Sequence, residues 1–549
     1  MNGTEATGGI LFNQHNGITK VCIVLPTDER TVTAVCVILV SILSYLYFRH
    51  WASKEHWKKV LAKIFCLIKS IPIVQQKLKQ EINKVKTDLR KSIHHSDDTN
   101  ISFTKLPESG IPKDQLTSLT RCYSTLEAPD YYGGRVSGAV FNDEMNKDEL
   151  EIYKEVTANF AWSNPLWPKL FPGVRKMEAE VVRMTCTLLG GDEETCGTMS
   201  SGGSMSILLA CLAHRNRAYS RGIKNPEIIL PSTAHAAFFK SAEVFRLHVV
   251  EIFVSGPTFT VDVNKVQQAI TSNTAMIVAS APNFPYGTID DIEALGRLAL
   301  AHDIPLHVDA CLGGFILPFL DNTEFGHPRI DFRVPGVTSI SADTHKYGLA
   351  PKGSSVIVYR NKDYLHHQYY CNPDWQGGVY ASATLEGSRA GINIAMTWAA
   401  LLYHGFDTYR FNAKAIVDTT RKIRDGIRKC HHLQVQGSPD VCVVSFTSST
   451  INIHRFQDLM YERGWQLSNL QFPSGVHLMV TQNHIKPGIA ELFINDVIEV
   501  AEIIAASPKV KSTGPAALYG MIQKLPDRTI VSDFAHVYLD VCYEPAKTE

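Results

Sequence analysis

An α/β fold built on a mostly parallel sheet is what this sequence predicts, and three observations predict it. Short runs rich in Ile, Val and Leu recur at residues 226–231, 247–253, 275–279 and 305–308. Helical patterns, such as the one over residues 289–302, separate them. The runs are continuously apolar rather than alternating, which marks strands buried on both faces, and strand–helix–strand succession builds a parallel sheet covered by helices. After about residue 400 the pattern changes to a long helix, short strands at residues 441–446 and 476–480, and a last helical region. That change predicts a smaller C-terminal α+β domain. No internal repeat is visible.

The 549 residues are 45% hydrophobic and carry 54 basic and 54 acidic side chains. Such a chain buries a large core, and its balanced charge gives no general attraction for nucleic acid. The cysteines offer neither a CxxC pair nor a Cys/His spacing suited to zinc, so no metal site is expected, and a reduced, cytosol-facing body follows.

At the N-terminus, residues 32–48 (VTAVCVILVSILSYLYF) hold no charge. Their length lies at the short end of the roughly 17–25 residues that cross a bilayer. Asp28, Glu29 and Arg30 precede the run and bulky residues follow it, which favours a retained anchor over a cleaved signal peptide. Arg49, Lys54, Lys58, Lys59 and Lys63 lie beyond it, so the positive-inside rule places the body in the cytosol. The expected organisation is a lumenal tail over 1–31, one transmembrane helix over 32–48, and a basic juxtamembrane stalk and linker over 49–105. An N-terminal segment of the catalytic body over 106–165, a large α/β domain over 166–400 and a small C-terminal domain over 401–549 complete it.

The chemistry concentrates in two segments. His307-Val308-Asp309-Ala310 ends a strand pattern, and Ser341-Ala342-Asp343-Thr344-His345-Lys346 follows it. An aldehyde cofactor needs a lysine to hold it and a carboxylate to keep its pyridine nitrogen protonated. Lys346 and Asp309 fit those two roles, which points to pyridoxal 5′-phosphate. Ahead of them, the Gly turn Met199-Ser200-Ser201-Gly202-Gly203 opens an apolar helix at Ser204. A helix start with free backbone amides is a seat for phosphate, to which Ser204 adds a hydroxyl. His235 is a candidate to stack on the cofactor ring.

The segments HVDACLGGF (307–315), SADTHKYGLAPKGSS (341–355), DWQGGVYAS (374–382) and GSRAG (387–391) resemble sphingosine-1-phosphate lyases, pyridoxal-phosphate enzymes of fold type I related to the group II decarboxylases. The likeness runs from about residue 106 to near the C-terminus. It implies that Lys346 carries the cofactor, Asp309 pairs with the pyridine nitrogen, His235 lies against the ring, and His345, Gly203 and Ser204 hold the phosphate. It implies a homodimer with shared sites, in which Asn164, Tyr380 and Ser382 approach the neighbouring subunit's cofactor. Lys352 and Arg389 are the expected grips for substrate phosphate. The implied reaction cleaves a phosphorylated sphingoid base to phosphoethanolamine and a long-chain aldehyde, at the endoplasmic reticulum membrane.

Four positions depart from the family pattern. Asn164-Pro165-Leu166-Trp167 has an indole for an imidazole, Gly203-Ser204-Met205-Ser206 lacks a carboxylate, Ser137-Gly138-Ala139-Val140-Phe141 lacks a phenol, and Phe284-Pro285-Tyr286-Gly287 has a phenol for an imidazole. These changes leave cofactor binding intact and bring the rate into question. An active lyase, a catalytically weakened paralogue with a binding or regulatory role, and a pyridoxal-phosphate-dependent amino-acid decarboxylase therefore all stand as readings at this point.

Overall fold

The computed structural model describes residues 10–15, 18–23, 71–94, 103–126, 128–142, 145–320, 322–507 and 528–545. The uncharged run 32–48 lies outside the described residues. Among the described residues no helix is long and apolar enough to cross a membrane. The chain divides into two compact units, Met1–Ala128 with Met521–Glu549, and Pro129–Gly520.

In the first unit, strands Ile10–His15 and Ile18–Ile23 pair antiparallel. The helix Pro72–Ile93 starts on a proline, whose missing N–H costs nothing there, and ends on Arg90 and Lys91, which complement the helix dipole. Lys86 of this helix pairs with Glu544, Nζ to Oε1 2.6 Å, beyond the end of helix Thr529–Tyr543.

The second unit is organised by a seven-stranded sheet. Its strands are β1 (Cys196–Ser200), β2 (Glu227–Pro231), β3 (His248–Ile252), β4 (Thr274–Ser280), β5 (Leu306–Asp309), β6 (Val337–Ala342) and β7 (Ser355–Tyr359). The spatial order is β1-β7-β6-β5-β4-β2-β3, with β7 the one strand running against the others. All seven residues of β4 are buried, as are all four of β5 and all six of β6. This is why β4 reads as an unbroken run of apolar and small residues, whereas β5 and β6 bring the polar His307, Asp309, Ser339 and Ser341 into the interior. Helix α1 (Gly203–Ser220) is equally buried, from Ser206 through Cys211, and packs on β6 and β7. Two more helices, α2 (Ala236–Phe245) and α3 (Ile292–Ala301), start on the side-chain caps His235 and Asp291.

A second, four-stranded antiparallel sheet comprises Gln434–Val435, Val443–Thr447, Gly475–Met479 and Ser468–Leu470. Trp465 and Phe493, fully buried with ring centroids 4.9 Å apart, anchor its core. The boundary expected at 400/401 falls inside a helix, α4 (Gly391–Ile427), which is broken instead at Gly405, φ 64° and ψ 171°. Glycine alone takes that conformation without a Cβ clash.

Candidate functional site

A cavity of about 450 Å³ opens at the carboxyl ends of the parallel strands, where open α/β sheets collect their ligands. Its lining comes from four strand ends: Gly202, Gly203, Ser204 and Met205 after β1, His235 after β2, Asp309 and Cys311 at β5, and Asp343, His345 and Lys346 after β6. Six sequence-predicted residues, Lys346, Asp309, His235, His345, Gly203 and Ser204, thus share one cavity.

Lys346 Nζ lies 2.9 Å from Asp343 Oδ2, and Asp343 is almost wholly buried. Burial pushes the Asp343 pKa up, but Lys346 and His345 outweigh it and hold the group below the usual carboxylate range. Burial pulls the Lys346 pKa down, and Asp343 reverses this, so the amine titrates above an ordinary lysine. The other oxygen, Asp343 Oδ1, is buried without a hydrogen-bond partner. A Cβ on Gly203 would sit 2.6 Å from Asp343 Oδ2, so glycine is required there for the helix start to approach the carboxylate.

At that helix start the amides of Met205 and Ser206 both turn back to Gly202 O, while no acceptor falls on the N–H groups of Gly203 and Ser204 among the described residues. Ser206 Oγ binds Ser200 Oγ and Ser355 Oγ, each at 2.8 Å, and ties the helix to β1 and β7. His235 accepts Ala237 N–H at Nδ1 (3.1 Å), so its proton resides on Nε2. His345 accepts Ser354 N–H at Nδ1 (3.1 Å), and burial keeps its pKa below that of a free imidazole. Asp309 accepts Cys311 N–H on Oδ1 at 3.1 Å, leaving Oδ2. Tyr347 OH donates to Val480 O (2.6 Å) and Tyr409 OH to Gly348 O (2.8 Å), which fixes the Lys346 turn against the rest of the unit.

The remaining predicted residues lie outside this lining. Asn164 donates to Ser388 Oγ (3.0 Å) and accepts Leu166 N–H (3.0 Å), Ser382 Oγ donates to Thr384 O (3.1 Å), and Tyr380 packs edge-on to Trp375. Arg389 is engaged: both terminal nitrogens reach Glu178, at 2.7 and 2.9 Å, and one also reaches Met199 O. Together they form a second cluster, joined to the cavity rim by Ser201 Oγ donating to Glu386 Oε1 (2.9 Å). Lys352 sits with Nζ 4.7 Å from the Phe141 ring centroid, its pKa brought down to about 8 by burial and by repulsion from Lys346.

Of the four departures, only Met205 lines the cavity. Phe141 is buried edge-on against Tyr347 (5.0 Å), Tyr286 is buried against Phe259 (4.1 Å), and Trp167 is 60% exposed. Asp343 and Cys311 line the cavity with no role assigned from sequence. The one clue was a carboxylate three residues before the lysine, a spacing that a turn converts into contact.

The residues present fit pyridoxal phosphate: an amine, a carboxylate with a free oxygen, and uncommitted amides at a helix N-terminus converge on a cavity whose orphaned Asp343 Oδ1 awaits a donor. Residues 161–449 match the family model described as the pyridoxal-dependent decarboxylase conserved domain. Fold and cavity therefore define a pyridoxal-phosphate enzyme of the decarboxylase type. Sphingosine-1-phosphate lyase of Drosophila melanogaster is 44% identical over 483 residues, covering 88% of each chain. Sphingosine-1-phosphate lyase 1 of Mus musculus is 40% identical over 512 residues, 93% of this chain and 89% of the relative. The solved sphingosine-1-phosphate lyase of Burkholderia pseudomallei superposes with a TM-score of 0.71 at 39% identity, over 77% of this chain and 96% of that one. The chain belongs to the sphingosine-1-phosphate lyase family.

Proposed function

We propose that this protein cleaves phosphorylated sphingoid bases between the second and third carbons, releasing phosphoethanolamine and a long-chain aldehyde in sphingolipid breakdown. Family membership across most of the chain supports the reaction. The observation that carries the site is Lys346, paired with buried Asp343 in a cavity walled by a helix N-terminus and Asp309.

Lys346 Nζ is the group that would hold the cofactor through its aldehyde carbon. Pyridoxal phosphate, when bound, supplies an electron-accepting ring conjugated with the substrate amine. The Gly203 and Ser204 amides, the Ser204 hydroxyl and His345 would hold the cofactor phosphate, aided by the helix dipole. Asp309, with Oδ2 left free, would pair with the ring nitrogen and hold its proton there. His235 would lie against the ring face; with Nδ1 taken by Ala237 N–H, its other ring nitrogen is the donor it offers the cavity. Asp343 keeps the lysine protonated until substrate or cofactor claims it. Lys352, near Lys346 and outside the cavity lining, grips the substrate phosphate.

A homodimer completes the site. Its support is the second cluster, where Asn164, Tyr380 and Ser382 lie among exposed apolar side chains, Trp167, Tyr370, Trp375 and the 74% exposed Val379. Contiguous apolar surface of this kind marks an interface, and a second copy of this chain is its occupant. The uncharged run 32–48 anchors the protein as a single span in the endoplasmic reticulum membrane with the catalytic body in the cytosol, beside a substrate with a lipid tail.

The test is to incubate purified, cofactor-loaded protein with a phosphorylated sphingoid base, and separately with amino acids. Aldehyde and phosphoethanolamine in equal amounts are the expected products. Carbon dioxide from an amino acid with no aldehyde from the lipid would instead make it a decarboxylase, and loaded protein inert to both would make it a binding paralogue.

A further inference from the structure

Behind Asp309 a line of buried polar groups crosses the sheet interior. His307 and Asp309 are two apart on β5 and therefore share a sheet face, and the parallel register sets His307 beside Ser339 and Asp309 beside Ser341 on β6. His214, from α1, reaches the same face. His214 Nε2 lies 2.8 Å from Ser339 Oγ, Ser339 Oγ 2.9 Å from His307 Nδ1, and His307 Nε2 3.3 Å from Ser341 Oγ. Ser341 Oγ in turn donates to Asp309 Oδ1 at 3.5 Å. His214, His307, Ser339 and Ser341 are all essentially fully buried.

The hydrogens of this line can be counted. A neutral imidazole carries one donor and one acceptor, and a serine hydroxyl carries one hydrogen. If Ser341 donates to Asp309, then His307 Nε2–H must donate to Ser341. His307 Nδ1 is then an acceptor and takes the Ser339 hydrogen. Ser339 oxygen must in turn accept from His214 Nε2–H, which leaves His214 Nδ1 without a hydrogen. That atom is the one end of the line that is buried with no partner. Every hydrogen in the line thus points toward Asp309. The reverse order would send the Ser341 hydrogen to His307 and leave Oδ1 with the Cys311 amide alone.

We propose that His307 is a positioning residue that, through Ser341 and backed by Ser339 and His214, fixes the Asp309 carboxylate with its free oxygen turned to the cofactor. The proposal rests on Asp309 facing the ring nitrogen. A hydrogen bond donated to the charged form of a carboxylate favours that form. Burial keeps His307 neutral, its pKa brought down to about 4, so the tautomer chain persists across the working pH range. Of the other titratable groups facing Asp309, Cys311 beyond β5 also touches the line, its thiol donating to Ser341 Oγ at 3.3 Å, which occupies a Ser341 lone pair and leaves the Ser341 hydrogen for Asp309; Lys346 and Asp343 lie beyond β6. From α2 the neighbour is the apolar Phe238, edge-on to His307 at 5.8 Å.

The experiment loads the protein with pyridoxal phosphate labelled with ¹⁵N in the ring and follows the ring-nitrogen resonance against pH, which distinguishes the protonated from the neutral ring without turnover. Ser341→Ala, which removes one oxygen and adds no bulk, should lower the pH at which the nitrogen loses its proton by roughly one to two units. His307→Asn, whose amide reaches only the Nδ1 position, should do the same. His307→Gln, whose amide reaches the Nε2 position, should titrate with the wild type, a rescue that a purely structural role would not give. If Ser341→Ala and His307→Asn titrate as the wild type while Asp309→Asn loses the ring proton, the line is refuted and the role of Asp309 stands. If Asp309→Asn also titrates as the wild type, the reading of Asp309 falls and the proposal with it.

Discussion

Removing Lys346 probes the charge balance of the site before any chemistry. In Lys346→Ala the carboxylate of Asp343 keeps its buried position but loses its partner at 2.9 Å, and its other oxygen already has none. The remaining cation candidate, His345 Nε2 at 3.8 Å, is held neutral by burial and does not replace the lysine. Stranding one member of a buried pair costs about 3–5 kcal/mol. The pH dependence carries the sign. In the wild type the folded pKa of Asp343 is lowered, so its contribution to stability is present above the ordinary carboxylate pKa and is lost as acid protonates it. In the variant both contributions of the lysine are gone and burial, the largest influence on the group, raises that pKa against the weaker pull of His345 and Ser355, so the penalty is full at neutral pH and fades as pH falls toward the ordinary value of about 4. Urea unfolding of both proteins, stripped of cofactor, should therefore show a deficit that shrinks between about pH 7.5 and about pH 5. Lys346→Ala/Asp343→Asn should recover most of it. A deficit independent of pH, or a double variant no more stable than the single one, would refute the reasoning.

Gly203→Ala should destabilise the protein by about 1–3 kcal/mol through overpacking against Asp343 and weaken cofactor retention, as checked by melting and by cofactor content after dialysis. Because the Lys352 pKa is brought down to about 8, KM for the phosphorylated base should rise above that pH as the cation is lost, and Lys352→Arg should move the rise upward. Trp167→Asp with Val379→Asp should turn a dimer into a monomer in sedimentation and lower activity with it. Phe141→Tyr restores a proton-transfer group; such groups contribute about 10²- to 10⁴-fold, so a gain in kcat is expected, and none at unchanged stability would remove Phe141 as the limit on rate.

What was legible in the sequence follows from which signals are local. The apolar run ending in His307-Val308-Asp309, the Gly202-Gly203 turn and the His345-Lys346 pair are contiguous patterns, and all of them meet in one cavity. Arg389 reads as a loop cation because its partner Glu178 is 211 residues away in sequence. The break in α4 was hidden because helical periodicity continues on both sides of Gly405. Asp343 gives no sign of burial between Ala342 and Thr344; only the packing of α1 and β7 around it does. The His214 line is likewise invisible, since the parallel register that sets His307 against Ser339 is a tertiary fact.

The central claim is that pyridoxal phosphate is held by Lys346. Borohydride reduction of the loaded protein, followed by proteolysis and mass spectrometry, tests it most directly. The account predicts a pyridoxyl phosphate group on the peptide containing Lys346 and its loss when the substrate is present in excess during reduction. Labelling of another lysine, or of none in protein that retains the cofactor, would contradict it.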